Sequence, residues 1–285
     1  MAVDRLLERC RVCHRADRSA FVPWYVGASH AGFVHRDHRD LLLQRHGSFS
    51  ERGAGLELDG GDFAARSAAI AGIVGELAAR GEIRSLTGEM YPVPATDGRA
   101  LLQLDRAAVP WFGVQAHGVH VNGWVRTQAG PQMWVARRAG GKRTFPGHLD
   151  NVVAGGQGIG ITAHATLVKE CHEEAGIGTE LAARARLESE LSYMQQDGRS
   201  LKVDSLACYD LELPAAFTPS PQDGEVEAFE LWPLAGVVAS LRGDDKWKPN
   251  CALVAIDFLL RHRALDRELS PAERAALALA AHTGA

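Results

Sequence analysis

The chain has 285 residues, of which 46% are hydrophobic and 23% are charged, as in ordinary globular proteins and unlike disordered or collagen-like chains. Lysine and arginine number 31 against 35 for aspartate and glutamate, which gives a formal net charge of -4. This balance disfavours nucleic acids and membranes as partners, because a mildly acidic chain has no overall positive field that would hold phosphate groups nonspecifically.

The first hundred residues predict a small α+β unit. Apolar and Ala-rich patterns predict helices at 4–17, 37–46 and 62–79. Alternating apolar residues predict a hairpin at 21–34 and short extended segments at 91–94 and 101–104. No catalytic motif stands out in this part of the chain.

From Trp111 onward the pattern changes to strands and glycines. Strands are expected at 119–126, 133–137, 201–213 and 227–234. A glycine-rich run at 155–160 opens into a helix, for which Thr162 is a suitable N-cap and Gly176 a stop. The chain is expected to close with two helices, at 251–265 and after a capping box that starts at Ser270. We place the domain boundary so that residues 1–107 form one domain and residues 108–285 a second.

The start of the chain and its cysteines bear on location. No apolar segment of the kind found in export signals follows the charged first residues, so we expect a cytoplasmic protein. The five cysteines, an odd number, predict free thiols in a reducing compartment. Cys10, Cys13 and His14 spell the attachment motif for c-type haem, but that attachment follows export and we set it aside.

Three glutamates in the helix after the glycines carry the chemical signal. Glu170, Glu173 and Glu174 are spaced so that they project from one side of a helix. Each like-charged pair costs a helix about 0.2 to 0.5 kcal/mol, and a dication that prefers oxygen ligands, such as Mg²⁺ or Mn²⁺, would remove this repulsion. Taken alone, the spacing indicates either a solvated acidic face or a metal site.

The surrounding stretch resembles the Nudix box, G-x5-E-x7-R-E-U-x-E-E-x-G-U, in which U is a bulky apolar residue. The matching residues are Gly155, Glu170, Cys171, Glu173, Glu174, Gly176 and Ile177. Ile161 stands where the box has its first glutamate, and Lys169 where it has arginine. Lysine keeps the positive charge but lacks the guanidinium fork. The three later glutamates are intact, so the resemblance implies an active site.

The resemblance extends beyond the box to one Nudix branch, which is related to the Nudix half of fungal thiamine pyrophosphokinase fusion proteins. The similar strings lie at 112–113, 118–123, 145–147, 149–151, 153–156, 208–214, 222–227 and 248–253. The branch carries an N-terminal domain of its own. The resemblance therefore implies an α/β fold, namely a Nudix α/β/α sandwich with a mixed sheet, preceded by a smaller α+β domain.

The resemblance also implies roles for individual residues. Metal binding, to Mg²⁺ or Mn²⁺, is expected at Glu170, Glu173 and Glu174. The expected catalytic residues are Glu173, our first choice of general base, and Glu170, with Glu225 and Glu227 of a later loop as alternative bases. Substrate phosphate is expected to meet Gly155, Gly156, Lys169 and Arg137.

The substrate implied by the branch is a small-molecule diphosphate of the thiamine type, especially an oxidised analogue such as oxothiamine diphosphate. Aromatic residues that could wall its rings are Trp111, Phe112, Trp124 and Trp134, although each is more often a core residue. The alternatives are a hydrolase of nucleoside diphosphate derivatives, an enzyme similar to isopentenyl diphosphate isomerase, and a metabolite-sensing module without catalysis. A homodimer is possible.

Overall fold

The computed structural model describes residues 2–45 and 47–284. Its helices are α1 (Ala2–Cys13), α2 (Arg36–Arg45), α3 (Phe63–Ala79), α4 (Ala163–Ala175), α5 (Thr179–Ala182), α6 (Leu234–Arg242), α7 (Pro249–Arg261) and α8 (Pro271–Thr283). Its strands are β1 (Phe21–Val26), β2 (Ser29–His35), β3 (Phe49–Arg52), β4 (Gly55–Leu58), β5 (Met90–Pro94), β6 (Ala100–Asp105), β7 (Gln115–Thr127), β8 (Gly130–Arg138), β9 (Leu149–Asp150), β10 (Val153–Gly156), β11 (Arg186–Asp197), β12 (Ser200–Glu212) and β13 (Val226–Pro233).

Residues 18–114, which we call the N-terminal body, form their own α+β core. The strand order of its larger sheet is β2-β1-β4-β3, and β5 and β6 form a separate hairpin beside α3. The predicted hairpin and the helix α3 are confirmed. Strands β3 and β4 were missed, because at four residues each they are too short to show a clear alternation. The core of this body continues past the predicted boundary, as far as Val114.

The rest of the chain forms the C-terminal body, whose sheet has seven strands. Its order is β11-β12-β7-β8-β13, with β9 and β10 attached at β8 and β7. The sheet is mixed, because β7 runs parallel to β12 but antiparallel to β8 and β10. Helix α4 packs on one face, and α6, α7 and α8 pack on the other. The predicted α/β/α sandwich with a mixed sheet is therefore confirmed.

Two features of the helices differ from the expectation. The chain closes with three helices, α6, α7 and α8, rather than two. Helix α1, which the predicted boundary assigns to the first domain, packs against those three helices. Its residues Leu6, Cys10 and Cys13 are fully buried in the core of the C-terminal body. The apolar side of α1 thus completes a helical layer whose other members lie at the far end of the sequence.

All five cysteines are free and buried, which confirms the expected free thiols. Burial raises the pKa of Cys10 and Cys13 to about 12, so both are ordinary core thiols at neutral pH. Within residues 2–45 and 47–284, none of the helices combines the length and the apolar character required to cross a membrane. The cytoplasmic location and the homodimer stay predictions.

Two buried histidines should make the fold sensitive to acid. Burial lowers the pKa of both His38 and His120 from 6.5 to about 4. The ring of His38 stacks on that of Trp111, with 4.1 Å between the ring centres. The unfolded chain therefore binds protons between pH 6.5 and 4 that the folded chain does not, and stability falls as the pH falls through this window. We expect the contribution of each histidine to the free energy of unfolding in urea to drop by about 2 kcal/mol between pH 7 and pH 5, whereas the raised pKa of Glu174 acts in the opposite direction.

A pair of variants checks this assignment. His38→Phe keeps a ring on Trp111 without a titrating group, so its stability should fall less between pH 7 and pH 5 than that of the wild type. His172→Gln changes an exposed residue and should keep the wild-type dependence. If the free energy of unfolding changed equally with pH in His38→Phe and in the wild type, His38 would not be a source of the acid sensitivity.

Candidate active site at the acidic helix

Helix α4 forms where the sequence predicts it. The Thr162 hydroxyl accepts a hydrogen bond from the amide of Ala165 at 3.1 Å, and Gly176 ends the helix in the left-handed conformation with φ 64°. Leu167, Cys171 and Ala175 are buried against the sheet. This apolar stripe fixes the rotation of α4 and so decides where its glutamates point.

The three box glutamates lie in different surroundings. Glu170 is central, with its side chain 14% exposed, whereas the side chain of Glu173 is 43% exposed. Glu174 is buried and accepts a hydrogen bond from the amide of Ala154 at 2.8 Å. The reason is helical geometry. Viewed down the axis of α4, Glu173 projects to one side of Glu170 and Glu174 to the other. The glutamates fan out around Glu170 instead of sharing one surface.

Burial raises the pKa of two of these carboxyl groups. It raises the pKa of Glu170, although Lys169 opposes the rise. It raises the pKa of Glu174 to about 8, and the nearby charge of Asp150 adds to the rise. A bound cation would favour the ionised form of both groups.

Lys169 sits between the two more accessible glutamates. Its Nζ lies 3.0 Å from Oε1 of Glu170 and 2.6 Å from Oε2 of Glu173. Hydrogen bonds to both carboxylates raise its pKa despite partial burial, so the ammonium stays charged. The lysine that replaces the usual arginine therefore still neutralises the acidic face.

The expected metal triad needs one correction. Within the described ranges, 2–45 and 47–284, no three carboxylate, histidine or cysteine side chains converge into a metal-binding group. Glu170 and Glu173 nevertheless fit a dication, because one positive charge, that of Lys169, already bridges them. Hard carboxylate oxygens are the ligands that Mg²⁺ and Mn²⁺ prefer. Glu174 accepts the amide of Ala154 through Oε2 and keeps Oε1 for a further ligand.

The first two glycines of the run lie in strand β10 rather than in a loop. A Cβ atom on Gly155 would lie 2.2 Å from Cγ of Glu170, so only glycine lets that glutamate lie against the strand. A Cβ atom on Gly156 would lie 1.6 Å from the hydroxyl of Tyr91, a residue of the N-terminal body. Both glycines are thus required for close approach beside the acidic helix.

The predicted phosphate ligand Arg137 contacts residues other than the box glutamates. It pairs with Glu230 at 3.4 Å and donates to the carbonyl of Gly147 at 3.5 Å, and no described contact links it to the box glutamates. Alternation along β8 places Arg137 and Arg138 on opposite faces. Arg138 is buried and binds Asp150 at 2.8 Å. The role of Arg137 as a phosphate ligand therefore stays a prediction.

The alternative bases lie in the loop before β13 and at its start. Glu225 forms an ion pair with Lys142. Burial would raise the pKa of Glu225, but this pairing outweighs burial and lowers it. Glu227 is exposed. The low basicity of Glu225 favours Glu173 as the general base.

A buried polar network behind α4 was not predicted as a site. Asp150 accepts a hydrogen bond from the thiol of Cys251 at 2.5 Å and lies 3.6 Å from Lys248. Burial would raise the pKa of Asp150, but Lys248 and Arg138 hold it below its usual value. Next to this group, Nδ1 of His120 lies 2.8 Å from Oδ1 of Asn151. The sequence signal was present, since all of these residues except Arg138 lie in strings that resemble the Nudix branch.

The aromatic residues proposed as ring walls are mostly core. Trp111 and Phe112 are buried in the N-terminal body, and Trp134 is buried between the sheet and α4. Trp124 lines an open cavity of about 490 Å³ together with Arg126 and His262. None of these contacts places an aromatic wall at the glutamates.

Comparison with known proteins identifies two matching domain families and several similar proteins. The NUDIX domain family matches residues 116–251, and a domain of unknown function, DUF4743, matches residues 5–116. Nudix hydrolase 20, chloroplastic, of Arabidopsis thaliana is 37% identical over 277 residues, which cover 92% of this chain and 74% of that protein. Nudix hydrolase 24, chloroplastic, of the same plant is 38% identical over 279 residues, with coverage of 93% and 74%.

Solved structures also match. DR0079 from Deinococcus radiodurans is 22% identical and has a TM-score of 0.43, over 59% of this chain and 97% of that one. The NUDIX domain of Shewanella oneidensis NrtR, crystallised with ADP ribose, is 14% identical with a TM-score of 0.41, over 55% of this chain and 91% of that one.

Proposed function

Because the chain belongs to the Nudix hydrolase family, whose members cleave pyrophosphate bonds in small molecules, we propose that it hydrolyses thiamine-type diphosphates. The preferred substrates in this proposal are oxidised analogues such as oxothiamine diphosphate, and the products are the monophosphate and inorganic phosphate.

One observation supports a substrate specific to this branch. The strings that resemble the branch are scattered between residues 112 and 253, yet polar residues from several of them meet in the buried network of Asp150, Lys248, Cys251 and His120. This network lies next to the acidic helix, because the charges of Asp150 and Lys248 both act on Glu174. Buried, mutually paired polar groups hold the strings of this branch in one fixed arrangement beside the acidic helix, as a shared substrate would require.

The residues of α4 supply the chemistry of the proposal. Glu170 and Glu173 would hold Mg²⁺ or Mn²⁺, which neutralises the diphosphate and lowers the pKa of bound water. Lys169 now pairs with both carboxylates and, with a metal in its place, would be free to meet a phosphate oxygen. Glu173, the most exposed of the three carboxylates, would accept the proton of the attacking water through the oxygen that does not bind the metal.

The isomerase alternative receives little support. The interior does contain a cysteine beside a carboxylate, Cys251. Burial and the adjacent Asp150 raise the pKa of its thiol well above the ordinary value, so it carries no thiolate at neutral pH. A hydrolase with Glu173 as base is the better supported assignment.

A substrate panel tests the proposal. With Mg²⁺ present, we expect phosphate release from oxothiamine diphosphate and thiamine diphosphate at kcat/KM values at least tenfold above those for ADP-ribose, nucleoside diphosphate sugars and isopentenyl diphosphate. Turnover of the nucleotide compounds alone would overturn the thiamine-type substrate but leave the assignment of diphosphate hydrolysis intact. Ligand binding without turnover of any compound would favour a sensing module.

A further inference from the structure

The N-terminal body reaches the acidic helix through the hairpin of β5 and β6. The ring of Tyr91, which is 4% exposed, lies against Gly156 of β10. The carbonyl of Met90 accepts a hydrogen bond from the amide of Ile159 at 2.9 Å, and Arg143 donates to the carbonyl of Ser85 at 2.9 Å. This edge of the N-terminal body is therefore fixed against the loops that flank the box glutamates.

Arg106 follows β6 on the same edge. Its guanidinium lies 5.9 Å from the centre of the Tyr91 ring, and Nη1 pairs with Glu89 at 2.8 Å. Tyr91 in turn lies against Gly156, which follows Gly155 in β10, and Glu170 packs against Gly155. Arg106 is thus linked through Tyr91 to the strand that Glu170 lies against.

The guanidinium of Arg106 is only partly used. Its side chain is 54% exposed, and Nε and Nη2 have no partner among the residues that the structure describes. Arg138, in contrast, uses all three of its guanidinium nitrogens on Thr144, Phe145 and Asp150. Two adjacent free N–H groups of an arginine match two oxygens of a phosphate group.

The backbone that carries Arg106 is rigid. The buried carboxylate of Asp105 accepts hydrogen bonds from the amides of Thr87, Gly88 and Ala107. The amide of Arg106 itself donates to the carbonyl of Glu89 at 2.8 Å. A cation held in this way has its position set before a ligand arrives, which lowers the cost of binding.

We propose that Arg106 binds a phosphate group of the diphosphate substrate through Nε and Nη2, and that Tyr91 positions it against β10. The N-terminal body is then part of the active site, and its role is to supply the cation that faces the carboxylates of α4. This inference rests on the proposed function for the identity of the ligand, a diphosphate.

Kinetics and binding of a phosphate probe test the inference separately. We expect Arg106→Ala to raise KM for the diphosphate substrate about 10- to 100-fold with a smaller change in kcat, because two charge-assisted hydrogen bonds are lost. The dissociation constant of methylenediphosphonate with Mg²⁺, measured by calorimetry, should rise by the same factor. Arg106→Lys should recover part of the loss, since it keeps the charge but not the fork.

Arg99 offers a matched control. It lies on the same hairpin, is 78% exposed and pairs with Asp97. Arg99→Ala should leave KM and the dissociation constant of methylenediphosphonate unchanged. Thermal melting shows whether each variant is folded, and Arg106→Lys serves as the test variant if Arg106→Ala does not fold. Binding by the Arg106 variants equal to that of Arg99→Ala would overturn the inference. A wild type that cleaves no diphosphate, while Arg106→Ala still weakens probe binding, would overturn only the proposed function.

Discussion

Replacing Glu170 by glutamine should lower kcat/KM for diphosphate hydrolysis about 10³-fold in the presence of Mg²⁺. Glu170 is the central carboxylate of α4, is mostly shielded from solvent, and lies against the backbone of β10. Glutamine keeps the shape of the side chain but carries no charge to bind a dication. Steady-state kinetics over a range of Mg²⁺ concentrations would show the loss and any shift of the metal requirement to higher concentration.

Glu180 provides the control for this substitution. It lies on α5, which packs next to α4, and its side chain is exposed. Glu180→Gln should keep wild-type kinetics, while Glu173→Gln should lower kcat if Glu173 is the general base. Retention of more than a tenth of the activity by Glu170→Gln would contradict its place at the centre of the site.

Gly155→Ala should lower kcat about 10²-fold with little loss of stability. The new methyl group would meet Cγ and Cδ of Glu170 at 2.2 and 2.3 Å, and the side chain must turn away because the backbone of β10 is held by its pairing with β7. A displacement of about 1 Å at a catalytic group costs about this factor in rate. Kinetics and thermal melting, measured together, separate the lost geometry from lost folding.

The same glycine-rich run contains a position where a methyl group fits. A Cβ atom on Gly158 would lie 3.5 Å from the carbonyl of Met90, an ordinary contact. Gly158→Ala should therefore keep activity close to that of the wild type. Equal activities for Gly155→Ala and Gly158→Ala would show that the approach of Glu170 to β10 does not matter for catalysis.

Local signals explain what the sequence predicted correctly in the fold. Helix α4 was predicted with both ends, since Thr162 and Gly176 act within one turn of the helix. Strand β10 was missed because glycines have no strand preference and its strand character comes from pairing with β7, more than thirty residues earlier in the chain. The position of α1 depends on helices at the other end of the sequence, which no local pattern could indicate.

In the site, too, the sequence predicted local features but not those that depend on packing. The spacing of Glu170, Glu173 and Glu174 was visible in the sequence, but their different burial depends on which strand α4 packs against. Arg137 was chosen for its charge alone, and strand alternation placed it next to Glu230. Arg106 could not have been found from the sequence, because its link through Tyr91 to β10 arises only from the packing of two bodies.

The position of α1 also has a consequence for the order of folding. Arg9 of α1 donates to the carbonyl of Leu241 in α6, which lies 232 residues later. Ribosomes add about 5 to 20 residues per second, so the apolar side of α1 waits roughly ten to fifty seconds for its partners, while residues 18–114 can already fold. The apolar side of α1 therefore stays uncovered until α6 has been synthesised, and chaperones that bind exposed apolar surface have that interval in which to act.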